Sequence, residues 1–227
     1  MKALGGGIAV QNRMAFQGEY FVERYGSQQA KRTPPIRRML EMGVPVGAGT
    51  DATRVSSYNP YLSLYWLVTG KTIGGLSLYP QENQLDRAEA LKLYTMGSSW
   101  FSTEDGKKGA LAPGQLADLA VLSGDYFSIP EDEIKHLESV LTIVGGKIVY
   151  ASDEFSRLAP PPLRVSPDWS PVKEYGGYAK ALKQTLGASH SAACSHVEAS
   201  ADGRTRSHLQ VLGEFGLWGL GCDCFAF

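Results

Sequence analysis

Apolar residues come in short blocks along this chain, and their spacing predicts its elements. Ile8-Ala9-Val10-Gln11 follows three glycines and reads as a buried strand. Residues 18–25, with Tyr20, Phe21 and Tyr25, predict a short helix. Pro34-Pro35 opens a second helix, in which Ile36, Met39 and Leu40 recur at helical spacing and Gly43 supplies the stop. Val44 to Gly49 is small, apolar and too short for a helix, so it predicts another buried strand. Its Pro45 sits near the strand start, where a missing N–H is tolerated. Asn59-Pro60 pairs a cap with a first-turn proline. Tyr61 to Thr69 is then apolar nearly all round and ends at Gly70, which predicts a helix buried on every side. Asp86 and Glu89 have capping-box spacing ahead of Ala90, Leu91, Leu93 and Tyr94, in a helix expected to run to Phe101.

After Gly106 the pattern becomes β-like. Leu119–Leu122, Val140–Val144 and Ile148–Tyr150 read as strands, and Gly145-Gly146 is a two-residue hairpin signal. Pro130 to Ile134 reads as a helical turn between strands. Beyond Pro160-Pro161-Pro162, Trp169, Tyr175 and Tyr178 follow no period. Three segments result: 1–105 alternating strand and helix, 106–155 mainly β, and 156–227 a Pro/Gly-rich linker and Cys/His-containing tail.

Composition narrows the classes. The 227 residues are 43% hydrophobic, with 22 basic against 23 acidic side chains and a net charge of -1, so there is no basic footprint for nucleic acid. No apolar run approaches the roughly 18 residues of a membrane helix. The N-terminus lacks the continuous apolar stretch of a signal peptide. The three cysteines, Cys194, Cys222 and Cys224, all lie in the tail and do not make a disulfide framework, which fits a reducing, cytoplasmic setting.

Gly47-Ala48-Gly49-Thr50-Asp51 is the most informative stretch, because a buried small-residue strand runs straight into a carboxylate. In a parallel α/β barrel the C-terminal strand ends face the active site. A carboxylate there can bind a cation or take a proton from water. The competing reading of Asp51 is a turn or cap residue after the strand. Arg54 offers a planar, bidentate donor for a substrate carboxylate, and Tyr58 can line a pocket. Gln11 and Asn12, just past the first strand, are expected to face the same mouth, and Gln11 joins Arg54 and Tyr58 as a candidate substrate-binding residue. Asn59 is a helix cap, Asp118 is structural, and His136 is expected to face solvent. His190, Cys194, His196, Cys222 and Cys224 are zinc-ligand types, but their spacing matches no standard structural-zinc pattern.

Val46-Gly-Ala-Gly-Thr-Asp51-Ala52, followed by Ser57-Tyr-Asn-Pro-Tyr61, resembles the last barrel strand and helix of the amidohydrolase superfamily, in its amidohydrolase 3 branch. Lys108 to Leu122 resembles the family signature G-x-L-x-x-G-x-x-A-D-L-x-V-L, and Thr142 to Tyr150 its closing hairpin. The likeness spans about residues 5–155. It implies an α/β fold: a C-terminal fragment of a (β/α)8 barrel, with its last two strands and helices, plus part of a small β-sandwich and an irregular tail. It also implies that Asp51 matches the aspartate that contacts the metal and accepts a proton from the attacking water. The family's His-x-His pair, its bridging Lys or Glu and its later barrel histidines have no counterpart. The four histidines are His136, His190, His196 and His208.

The implied cofactor is a divalent metal, zinc first, held by the complete family fold and not held tightly by this chain alone. The implied activity is hydrolysis of a non-peptide C–N bond in a small molecule, with the isolated chain inactive. The alternative is a non-catalytic remnant or split-chain module that completes a barrel with a partner, or self-associates through an exposed strand edge. A complete barrel alone takes about 250 residues, so 227 residues are too few for a whole enzyme of this family.

Overall fold

The computed structural model describes residues 1–52 and 56–161. Strand β1 (Ile8–Gln11) pairs in parallel with β2 (Val46–Gly49), with Ile8 opposite Val46 and Gln11 opposite Gly49. Parallel neighbours need a long crossover. Helices α1 (Arg13–Tyr25), α2 (Ser27–Ala30) and α3 (Ile36–Glu41) supply it. Val10, Val46 and Ala48 enter the hydrophobic core, while Ala9 and Gln11 point to the opposite, exposed face of β1.

Helix α1 begins five residues before the expected 18–25 segment. Gly18 reads as a helix start in the sequence, but it lies inside the helix for a packing reason. A Cβ there would come within 2.7 Å of a Leu78 methyl group, so the glycine lets α1 settle against the segment after Gly70. Helix α3 ends as expected, with Gly43 at φ 65°.

Helix α4 (Pro60–Thr69) is buried at every position from Tyr61 to Thr69. Asn59 Oδ1 accepts from the Tyr61 N–H at 2.9 Å, Pro60 opens the first turn, and Gly70 ends the helix in the left-handed region. Helix α5 (Arg87–Lys92) starts with both bonds of the expected capping box: the Glu89 N–H donates to Asp86 Oδ1 at 2.7 Å, and the Asp86 N–H donates to Glu89 Oε2 at 2.9 Å. The expected run to Phe101 is interrupted. Leu93–Gly97 forms a π-helical turn before α6 (Ser98–Phe101). The Ser98 hydroxyl lies 3.0 Å from the Leu93 carbonyl and 2.9 Å from that of Ala48 in β2, so it fills the widened turn and ties it to the sheet. Gly97 allows the approach, since a Cβ there would collide with the backbone of Val46 and Gly47.

Strands β3 (Leu119–Leu122), β4 (Ser139–Val144) and β5 (Lys147–Ala151) form an antiparallel sheet in that order. Gly145 (φ 55°) and Gly146 (φ 77°) make the hairpin turn, and Asp118 Oδ1 accepts from the Gly145 N–H at 2.7 Å. This is the structural role read for Asp118. The turn at Glu131–His136 is 3-10 helical. His136 is half-buried, not solvent-facing, because its turn packs Ile134 and Leu137 into the core.

Residues 1–160 make one compact unit. The Tyr61 and Ser139 hydroxyls lie 2.6 Å apart, Tyr65 donates to Asp132 at 3.3 Å, and Arg87 donates to the Tyr126 and Ile129 carbonyls. Among the described residues no helix is long and apolar enough to cross a membrane.

Gly97→Ala forces a methyl group into the β2 backbone and lowers stability by about 2–3 kcal/mol. Gly49→Ala adds a Cβ that meets nothing within 4 Å and is near neutral; urea denaturation compares the two. Arg37 forms a two-bond pair with Glu89 at 2.6 and 2.8 Å and donates to the Gln84 carbonyl at 2.6 Å. The Arg37 guanidinium bonds, with the Asp86 N–H, hold the Glu89 carboxyl below the usual range. Its stabilisation is therefore fully present above the ordinary Glu pKa of about 4.3 and is lost as pH falls through the lowered value. Arg37→Met is expected to cost about 1 kcal/mol at neutral pH, with the difference from the parent shrinking in acid.

Candidate functional site

The C-terminal ends of β1 and β2 lie side by side, and the register sets what meets there. Gln11 faces Gly49, two residues before Asp51. Its Nε2 donates to Asp51 Oδ2 at 2.7 Å, so two candidates forty positions apart in sequence are joined. Both side chains are exposed. Asp51 takes φ 49°, in the left-handed region that aspartate enters more readily than most residues. Described residues on both sides of it make local bonds. The Ala52 N–H donates to Thr50 Oγ1 at 3.3 Å, the Ser56 hydroxyl donates to the Thr50 carbonyl, and the Asn59 N–H donates to Ser57 Oγ at 3.0 Å. The loop thus hangs between the end of β2 and the capped start of α4.

The other sequence candidates fall out differently. Tyr58 is 55% exposed on the same loop. Arg54 lies outside the described residues, as do His190, Cys194, His196, His208, Cys222 and Cys224. Asn59 is spent on capping α4. Asn12 is fully buried at the start of α1, and neither of its amide atoms has a hydrogen-bond partner among the described residues. The residues that sequence reasoning missed are Thr50, Ser56 and Ser98. Their only signal is a hydroxyl next to a small-residue strand or turn, which is too common to single out.

The site can accept a proton or one bond to a cation through Asp51. A catalytic zinc ion normally takes three protein ligands. Among the described residues no three His, Cys, Asp or Glu side chains converge. These residues alone therefore do not fit a divalent metal.

The solved structure of an uncharacterized metal-dependent hydrolase from Pyrococcus horikoshii OT3 aligns with 57% of this chain and 26% of its own, at 26% identity and a TM-score of 0.49. The chain is 31% identical over 134 residues to YtcJ of Bacillus subtilis, whose name assigns it to the amidohydrolases; the match covers 58% of this chain and 25% of that protein. It is 30% identical over 152 residues to the N-substituted formamide deformylase of Arthrobacter pascens, covering 66% of this chain and 28% of the relative. A 28% match over 140 residues to the 5-methylthioadenosine/S-adenosylhomocysteine deaminase of Desulfovibrio desulfuricans covers 56% and 30%. The chain thus spans between a quarter and a third of the length of these curated relatives. Residues 1–150 match the Amidohydrolase family in its amidohydrolase 3 branch, and the chain belongs to that family.

Proposed function

We propose that this chain is the C-terminal part of a metal-dependent amidohydrolase that cleaves a non-peptide C–N bond in a small molecule. One observation carries the reading: the Asp51 carboxylate stands at the end of β2, held by Gln11 from the end of the parallel neighbour β1. In this reading β1 and β2 are the last two strands of a (β/α)8 barrel, and β3 to β5 belong to its accessory β-sandwich. Their C-terminal ends then face the reaction centre.

Asp51 acts as the proton carrier. Its carboxylate takes a proton from water as the water oxygen bonds to the substrate carbon. It returns that proton to the nitrogen as the C–N bond breaks. A positioned acid–base group of this kind contributes about 10²–10⁴-fold. Tyr58 and Arg54 belong to the loop that would meet the substrate. The relatives' names support the bond class. One removes the formyl group from N-substituted formamides and another deaminates 5-methylthioadenosine or S-adenosylhomocysteine. Both reactions break a bond between carbon and nitrogen.

No three His, Cys, Asp or Glu side chains converge among the described residues, so in this reading the complete site draws further ligands from outside them. The purified 227-residue chain is therefore expected to show no metal-dependent hydrolysis of N-substituted formamides. Adding a polypeptide with the N-terminal barrel portion of a relative restores turnover, and Asp51→Asn in this chain lowers it by at least about 10²-fold. Turnover by the chain alone, or undiminished turnover with Asp51→Asn, overturns the reading.

A second reading, an interaction module, is favoured by the side of β1 that pairs with no strand among the described residues. A groove of about 270 Å³ runs along that strand, lined by Ile8, Val10, Met14, Pro34 and Met39 among others. An unpaired strand edge beside apolar side chains invites another strand. Light scattering on the purified chain is expected to show association that weakens when Ala9→Pro removes a backbone donor from β1. A monomer at all concentrations argues against this reading.

A further inference from the structure

We propose that Gln11 is the positioning residue of Asp51: it holds Oδ2 and so commits Oδ1 to the reaction. The inference rests on the reading of Asp51 as the proton carrier. Three observations support it. First, Gln11 is the one side chain among the described residues that hydrogen-bonds the Asp51 carboxylate, and the β1–β2 register brings it there. Second, the Ala52 N–H and the Ser56 hydroxyl both bond Thr50 beside Asp51, and the Gln11 bond acts on what they do not touch, the rotation of the Asp51 carboxylate about its side-chain torsions. An exposed aspartate with no partner samples three staggered χ1 wells. Third, the donor is a neutral amide. Arg or Lys at position 11 would orient the carboxylate equally well but would cancel the charge that lets it accept a proton. An amide orients it and leaves that charge in place.

A carboxylate spread over three wells is competent about a third of the time, so Gln11 is worth about threefold in correctly placed Asp51. The test is NMR of the isotopically labelled full chain, using the three-bond couplings from Asp51 Cγ to its backbone nitrogen and carbonyl carbon. The parent is expected to show a single χ1 rotamer. Gln11→Leu, which removes the donor, is expected to show couplings averaged over the wells, with the native population reduced about threefold. The amide signals of Val10 and Ala48 and the melting temperature should stay close to the parent's, because Gln11 is exposed. Gln11→Glu keeps the length and loses the donor, and it carries the test if the leucine variant does not fold. Averaged couplings in the parent, or a single native rotamer in the variant measured, overturn the proposal. The couplings are read without turnover, so this result and the hydrolysis assay on Asp51→Asn fail independently.

Discussion

Helix α4 is the constraint on which the rest of this structure depends. Nine consecutive residues, Tyr61 to Thr69, are buried, so no face of the helix can be left to water. A fully buried Leu or Val is worth about 1.5–3 kcal/mol, and that gain is realised only when neighbours cover the whole circumference. The chain meets this demand from both of its halves. Val10, Val46 and Ala48 from the parallel strands share one core cluster with Ile134 and Leu137 from the 3-10 turn of the later segment. The polar tips of Tyr61 and Tyr65 reach Ser139 and Asp132, so the aromatic rings can be buried with their hydroxyls paired. The loop carrying Asp51 leads into this helix, and its far end is therefore as fixed as the helix itself.

What was legible in the sequence was what local chemistry determines. The Asn59-Pro60 start of α4, the Asp86–Glu89 capping box, the Gly43 and Gly70 stops and the Gly145-Gly146 turn each rest on a backbone requirement that few residue types meet. Each appears where its pattern puts it. The two parallel strands were legible for a related reason. Short apolar runs separated by a helical crossover leave few other arrangements.

What was not legible depends on partners far along the chain. Gly18 resembles a helix start until Leu78 is seen pressing on it. The π turn at Leu93–Gly97 has no local signature, because it answers to the Ala48 carbonyl and the backbone of Val46 and Gly47. His136 follows a charged stretch that reads as surface, yet its neighbours Ile134 and Leu137 draw the turn inward. In the site, Gln11 and Asp51 could each be placed at a strand end. Their hydrogen bond needs the register of two short strands, which no pattern within either strand encodes.

That register keeps the proposed site in order with bonds local to two strands and one turn. The Gln11–Asp51 bond uses only β1, β2 and the turn after β2, all secured within residues 1–160 by the core around α4. It asks nothing of the other ligands that a complete metal site requires. In the proposed barrel, a charged partner from a more distant strand would tie the orientation of Asp51 to that strand's presence. A neutral amide from the adjacent strand separates the two, so under the proposed function the carboxylate is aimed before the rest of the site assembles around it. Preorganisation of this kind lowers the entropic cost of assembly, because a side chain already in its working rotamer has less freedom to lose.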